Sequence, residues 1–451
     1  MKKIIYFIVV LLTAVLTSCS DNGYLNAIPS GSKLLMSVNP TKISGAGNQV
    51  LLKTILHISN LNNTGLDLSS NIYVFEDARG NLGLCARVSD TNKLDHTLGQ
   101  VGQKMSEKKG FAFFALPNHW IVGYSDEAAL MMGPVLPEAR EEISATMAKY
   151  LAADEEDGIV STPIYAKLDS IDAPMALVCE AEALPEQFVA PFTLGAPRDA
   201  EASDIMIAAE MTVEKGCLMI KGETFSFKQK VNEAIQKATQ TYRPIEGHYT
   251  ASMSDSDAFG LFMNVNGSQL IELMRQNRGI RTMLVGINSA IDMDNIIKSI
   301  DGDMALITPD MGTKKFQMMM AARLKHADWL ADVDYWKQSV PTGGHIGDWG
   351  HDCYYYTGDN TTYYFGVTGD GQYMSGGSKE AALRSVKPSP NPIAPVLQNK
   401  IKGERLAMVV HLSALQEGKT QAIASLLSPV FGHLNTIIYT LKVDSANNNI
   451  N

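Results

Sequence analysis

The chain has 451 residues, 45% hydrophobic and 19% charged, with 48 acidic residues against 38 basic ones. That composition can bury sizeable cores and excludes compositional disorder. The acidic excess, which no Lys/Arg cluster or basic-aromatic stripe offsets, repels phosphate backbones and excludes nucleic acid as a partner.

The first element in chain order is a leader. Lys2 and Lys3 precede an apolar run from Ile4 to Val15, and Leu16-Thr17-Ser18-Cys19 follows. Positive charge, about a dozen apolar residues and then small residues is the order of a secretory signal peptide, too short to cross a bilayer that needs about 20. Leu-Thr-Ser-Cys resembles the bacterial lipobox. The resemblance implies a signal peptide over residues 1–18, acylation of Cys19 and a lipidated tether over 19–23. Several acyl chains, at about 0.8 kcal/mol per buried methylene, would hold the mature protein on a membrane. Ser20-Asp21-Asn22 resembles a weakened form of the export tag of Bacteroides-type surface lipoproteins, which implies the cell envelope, with the outer membrane expected and its face open. No later apolar run approaches 18 residues, so no further span is expected.

Past the leader the periodicity switches repeatedly. Lys33–Val38 reads as a strand and Gln49–Asn60 as a helix. Ile72–Glu76 and Leu82–Val88 flank Ala78-Arg79-Gly80-Asn81, a hairpin signal. A helix is predicted from about Lys93 to Lys104, then strands Phe111–Leu116 and Trp120–Val122 around a Pro117-Asn118 corner. Helical spacing returns within Gly133–Ser161. Ile205–Val213 and Leu218–Phe225 form a hairpin across Glu214-Lys215-Gly216, and a helix follows over about Lys228–Thr239. Phe262–Val265 is a strand, Ser268–Arg275 a helix and Phe316–Leu324 a strand. Thr342–Thr362 reads as a loop, and Gly369-Asp370-Gly371 as a tight turn. Short hairpins with interspersed helices predict antiparallel sheets, hence an α+β fold.

Self-comparison adds a duplication. Leu34–Asn39 returns as Leu261–Asn266, Ala86-Arg87-Val88 as Ala322-Arg323-Leu324, and Met175–Val178 as Leu406–Val409. Gly123–Leu130 returns as Gly376–Leu383 with six of eight positions identical. Four matches in one order predict two tandem copies, residues 24–242 and 243–451, each a mainly antiparallel sheet with packed helices. The spacing shifts place one insertion in Gly133–Ser161 and another in Thr342–Thr362. Since the sequence ends at Asn451, the second copy is expected to lack the end of the strand matching Leu218–Phe225.

With the leader and two α+β copies in place, and Tyr24-Leu25-Asn26-Ala27-Ile28-Pro29 opening the mature chain, the whole sequence resembles Bacteroides-type cell-envelope lipoproteins of a domain-of-unknown-function family. The resemblance implies a setting and carries over no catalytic residue. Asp169-Ser170-Ile171 and Asp444-Ser445-Ala446 resemble the O-glycosylation sites of such exported proteins, marking Ser170 and Ser445; an Asp-Ser turn is the plainer reading.

Candidate chemistry is sparse. Ser125 and Ser378 sit in the repeated octapeptide at what reads as a strand-to-helix turn, where a Ser caps a helix rather than attacks a substrate. Neither has the Gly-x-Ser-x-Gly form of a nucleophile elbow. His345, His351 and Cys353 are weak metal candidates, because His-x5-His-x-Cys matches no zinc spacing. The same insertion gathers Trp349, Tyr354, Tyr355 and Tyr356 beside Asp348 and Asp352, a set able to stack on and hydrogen-bond a sugar. Met318, Met319 and Met320 are core fillers more readily than metal ligands. Cys85, Cys179, Cys217 and Cys353 allow three full disulfide pairings that the sequence does not rank, and buried, inert thiols are the plainer reading. No catalytic residue and no cofactor is expected. The sequence predicts a non-enzymatic, lipid-anchored envelope protein that binds a glycan or an envelope protein through its insertions. A hydrolase assembled across the copies and a lipid or lipoprotein carrier are the alternatives, and the carrier requires an apolar cavity between sheet and helices.

Overall fold

The computed structural model describes residues 22–43, 63–184, 186–214, 216–310, 318–358, 361–412 and 435–442. The leader with Cys19, the predicted helix Gln49–Asn60 and the candidate Ser445 lie outside the described residues. The chain divides into two compact units, Met1–Val178 and Cys179–Asn451.

The first unit contains β1 (Leu34–Val38), β2 (Ile72–Glu76), β3 (Leu82–Arg87), α1 (Thr91–Val101), β4 (Gln103–Lys104), β5 (Ala112–Leu116), β6 (Trp120–Tyr124), β7 (Ala128–Met132), α2 (Arg140–Leu151), α3 (Pro163–Asp169) and the start of β8 (Met175–Glu180). Its strands pair in the order β8-β1-β2-β3-β7-β6-β5-β4. The β2–β3 turn is built on Asp77, whose buried carboxylate accepts the N–H groups of Arg79 and Asn81, each at 2.9 Å. Gly80 supplies the positive φ of +82° that a side chain would resist. Asp90 starts α1 by accepting the N–H groups of Asn92 and Lys93. The helix then buries Leu94 and Leu98.

The second unit contains α4 (Glu186–Thr193), β9 (Met206–Glu214), β10 (Cys217–Phe225), α5 (Gln229–Thr239), β11 (Tyr242–Arg243), β12 (Phe259–Asn266), α6 (Gly267–Gln276), α7 (Arg278–Asn288) and α8 (Met293–Lys298). Then come β13 (Ile300–Thr308), β14 (Met319–Leu324), α9 (Val333–Ser339), β15 (His345–Gly350), β16 (Cys353–Gly358), β17 (Thr361–Val367), β18 (Gln372–Gly376), α10 (Lys379–Ser385), α11 (Pro395–Ile401), β19 (Leu406–His411) and β20 (Thr436–Leu441). The strand order is β9-β10-β20-β19-β12-β13-β14-β18-β17-β16-β15, with β11 on the end of β12. β10 and β20 run parallel and the other pairs whose register is resolved run antiparallel. Mixed α+β architecture with mostly antiparallel strands is therefore what the chain forms.

One face of this second sheet carries the core. Phe262, Ala305, Ile307, Met319, Ala321, Ala407, Val409 and Ile438 pack there against Tyr249, Met253, Ile393 and Ile401. Strand alternation turns the neighbouring residues to the other face, where α6, α7 and α8 lie. Each of these helices starts with a polar side chain accepting backbone N–H groups: Asn266, Asn277 and Asp292. The caps stop the chain from running on as one long helix and fold it back as three short segments.

Several sequence expectations need correction. The Gly123–Leu130 octapeptide does not behave like Gly376–Leu383: Ser125 turns β6 into β7, whereas Ser378 starts α10. The Thr342–Thr362 insertion is no surface loop, because β15, β16 and the start of β17 occupy it as sheet. The helix predicted to Lys104 ends at Val101, where Gly102 adopts extended backbone and β4 begins. The compact units part at Val178, and β9, β10 and α5 go with the second unit through the six-residue β10–β20 pairing.

Candidate functional site

A cavity of about 420 Å³ lies in the second unit. One wall is helical: Met274 of α6, Leu284 and Ile287 of α7, Ala290 and Ile291 of the turn after it, and Met293 and Ile297 of α8. The facing wall is the sheet. Met304 and Leu306 of β13 and Met318 and Met320 at β14 continue the apolar lining. Tyr356, Thr361, Tyr363 and Ser375 of β16–β18 bring hydroxyls to the remainder. Apolar cavities of about 150 Å³ already stay dry and take up benzene. A space of this size falls within the range of about 300–1,000 Å³ usual for ligand pockets.

Register explains why the hydroxyls gather. Tyr356 pairs with Tyr363 across β16–β17, Gly358 pairs with Thr361, and Phe365 pairs with Ser375 across β17–β18. Period-2 alternation puts Tyr356, Thr361, Tyr363 and Ser375 on one face. The Tyr363 and Tyr373 hydroxyls are 2.6 Å apart. Burial pushes both phenols up, so both stay protonated and each can donate as well as accept. Ser375 is 1% exposed, and its Oγ makes no hydrogen bond of ordinary geometry among the described residues.

An aromatic cluster continues along this face. Trp329 and Trp336 stack with centroids 5.9 Å apart, and both rings approach Phe365, at 6.3 and 6.4 Å. Tyr363 stacks on Phe365 at 5.8 Å.

The model of a domain of unknown function, DUF4836, matches residues 33–387. The chain belongs to the DUF4836 family. No curated protein matches its sequence. Two solved structures of TP0453 are similar to it in part. Crystal form III has 14% identity over 47% of this chain and 83% of that one, with a TM-score of 0.29. Crystal form IV has 13% identity over 43% and 76%, with a TM-score of 0.27. Scores of this size do not establish a common fold.

The residues that this DUF4836 sequence marked as candidates are dispersed. Trp349 and Tyr355 face away from the cavity: Trp349 meets Tyr364 edge-on at 6.0 Å, Tyr355 lies 5.7 Å from the same ring, and Lys379 sits 5.3 Å above Trp349. The Trp349 indole N–H donates to the Tyr354 carbonyl at 2.7 Å. Tyr354 points to the cavity's side of the sheet but packs on Phe365 with Lys337 above it. Asp348 pairs with Lys337 at 2.9 Å, and Asp352 holds a φ of +52° in the β15–β16 turn. Three consecutive tyrosines in a strand cannot share a face, so the set forms no single sugar platform, and Tyr356 alone of it lines the cavity.

The weak metal candidates also separate. His345 rests edge-on against Tyr355, His351 is exposed beside Asp352, and Cys353 is buried. Among the described residues no group of three or more His, Cys, Asp or Glu converges. Cys85, Cys179, Cys217 and Cys353 are buried and form no disulfide among the described residues, and desolvation pushes up the Cys85, Cys217 and Cys353 thiols, the second to about 11. Ser170 is exposed after α3, its hydroxyl donating to the Lys167 carbonyl at 2.7 Å. The lining from Met274 to Leu306 was missed in the sequence reading. Its signal was available in the three polar caps and in the alternation of Met318, Met319 and Met320, which sends the middle one to the core and its neighbours to the cavity.

Proposed function

We propose that the chain is a non-enzymatic binding protein of the cell envelope, tethered through Cys19, whose second unit takes an apolar molecule into the cavity beneath α6–α8. The cavity is the observation that carries this reading: about 420 Å³ bounded mainly by Met, Leu and Ile side chains, far more space than the few water-sized voids of an ordinary close-packed interior. It moves the binding role from the Trp349 face of the β15–β17 insertion to the interior, where Tyr356 and Thr361 of the same insertion line the cavity, and favours the carrier among the alternatives. We read the two units as copies of one scaffold. That reading is supported by the common order of eight strands and by three of the four sequence matches, which fall on β1 and β12, β3 and β14, β8 and β19. The fourth match joins a strand to a helix and lends it no support.

The test uses the mature chain and the neutral dye N-phenyl-1-naphthylamine. Saturable fluorescence enhancement is expected, and Ala290→Phe, which fills the cavity from the helical wall, should abolish it while circular dichroism and melting stay normal. Equal enhancement by a folded Ala290→Phe protein would remove the cavity from the reading. Anchoring is tested separately: Cys19→Ala should release the protein from the membrane fraction, and its retention would refute the tether.

A further inference from the structure

We infer that the occupant of the cavity is a single-chain amphiphile with an uncharged, hydrogen-bonding end, such as a fatty alcohol or a monoacylglycerol, seated with that end against Tyr356, Thr361, Tyr363 and Ser375. The inference rests on the cavity reading above and deepens it.

The lining is divided. Helical residues and the β13–β14 strands present only carbon and thioether sulfur, from Met274, Leu284, Ile287, Met304, Leu306 and Met320 among others. All four hydroxyls stand on β16–β18. A wholly hydrocarbon ligand would leave those hydroxyls facing carbon, and a buried Ser hydroxyl with poorly aligned partners gains from a ligand oxygen. Ser375 Oγ, 1% exposed, reaches the Tyr363 and Tyr373 hydroxyls only in poor geometry and is such a group. Hydroxyls both donate and accept, so they match an alcohol, an ester or a glyceryl diol. The Tyr363–Tyr373 pair extends the polar end as a short chain of phenols kept neutral by burial. An ionised carboxylate or phosphate seated against Ser375, the buried part of this wall, would meet neutral donors, and burying a charge without a counter-charge is costly. None of the described lining residues carries a charge to offset it.

The experiment measures displacement of N-phenyl-1-naphthylamine from the mature chain by decan-1-ol, 1-decanoylglycerol, decanoate at pH 8 and octylbenzene. Decanol and decanoylglycerol should displace at roughly tenfold lower concentration than decanoate or octylbenzene, a gap of about 1.4 kcal/mol. The gap should shrink severalfold in Ser375→Ala and Tyr356→Phe. Thr361→Val, a change at an exposed position, serves as the variant that cannot unfold the core. Decanoate displacing as well as decanol would overturn the uncharged end. Octylbenzene equalling decanol, with no effect of the three variants, would overturn the hydroxyl wall while leaving the cavity reading standing. Absence of dye binding altogether would instead sink the cavity reading itself.

Discussion

The sheet of the first unit and the last eight strands of the second unit's sheet run in the same order, β8-β1-β2-β3-β7-β6-β5-β4 and β19-β12-β13-β14-β18-β17-β16-β15, yet their interiors differ. Under α1 the first sheet is filled. Leu84, Leu94, Leu98, Val122 and Met131 close around a void of about 30 Å³. Under α6–α8 the second leaves about 420 Å³. The same strand order thus supports either a closed core or a hollow one. Among the described residues the two differ in the length of the outer strands. β4 has two residues and β15 has six, and β16 and β17 contribute Tyr356, Thr361 and Tyr363 to the lining of the second cavity.

The largest effect that would sharpen this comparison is a matched pair of truncations. Leu98→Ala in the filled interior should cost about 4 kcal/mol, within the range for large-to-small changes that create a new cavity. Met320→Ala on the wall of the existing cavity should cost about 2 kcal/mol, since that side chain already lacks contacts on one side. Urea unfolding of the full mature chain measures both. Equal losses would mean that the second interior is as closely packed as the first.

Buried carboxylates give the next contrast. In the first unit Asp77 is held by neutral donors, the Arg79 and Asn81 N–H groups and the Tyr150 hydroxyl at 3.0 Å. Burial and the neighbouring Asp77 together push that phenol up to about 12. In the second unit Asp257 is 1% exposed and pairs with the Arg384 guanidinium, while also accepting the Ser254 N–H at 2.7 Å. Arg384→Met leaves a buried carboxylate without its counter-charge and should cost about 3 kcal/mol, the low end for a broken buried pair because the guanidinium is about one-third exposed. Adding Asp257→Asn should recover most of the loss. Failure of the double variant to recover would show that Arg384 acts through packing.

How much of this was legible follows the same division. Period-2 runs gave β1, β2, β3, β5, β6, β9 and β10 nearly to their ends, because each is a half-buried strand beside a turn with its own chemistry, such as Asp77 to Asn81. The order in which strands pair was not legible, because β3 with β7 and β14 with β18 join residues separated by whole helices, and no local pattern records a long-range partner. The cavity was invisible for a related reason. An apolar residue reads the same in sequence whether it faces a neighbour or a void, and Met304 and Met319 differ only in what stands opposite. The insertion was legible as aromatic but not as sheet: its glycines suggested a loop, whereas Gly347 lies across β15–β16 from Tyr355, with its missing Cβ only 2.5 Å from that ring.

Trp349 tests that last point at a smaller magnitude. It packs between Tyr364 and Lys379 on the face opposite the cavity. Edge-to-face and cation–π contacts at a half-buried site are worth about 1–2 kcal/mol together, so Trp349→Ala should lower stability by that amount. Dye displacement by decanol should not change. A loss of displacement tenfold or greater in a folded Trp349→Ala protein would return recognition to the insertion.

The smallest effect concerns the octapeptide that the two units share. Ser378 adopts extended backbone and its Oγ accepts the Ala381 N–H at 3.1 Å, capping α10. Ser125 Oγ accepts the Ala128 N–H at 3.0 Å, yet the chain continues as β7, every residue of which is buried. The identical Ala-Ala-Leu is followed by Met131-Met132 in one case and by Arg384-Ser385 in the other. A strand between β3 and β6 needs apolar residues on both faces, whereas a helix on a sheet needs one polar side. The flanking residues, not the shared six, select the element. Ser378→Ala should therefore cost about 1 kcal/mol as a lost helix cap, and Ser125→Ala about half of that as a turn contact. The cap also carries a pH signature. Its own backbone N–H and then the Ser378 hydroxyl hold the Glu380 carboxyl below its ordinary 4.5. A lowered folded value means stability that is present above pH 4.5 and lost as the pH falls through the lowered value. Urea midpoints of wild type and Ser378→Ala should converge as the pH drops below 4.5, and those of Ser125→Ala should stay parallel to wild type. Convergence in both variants would mean that the two serines do the same work despite leading into different elements.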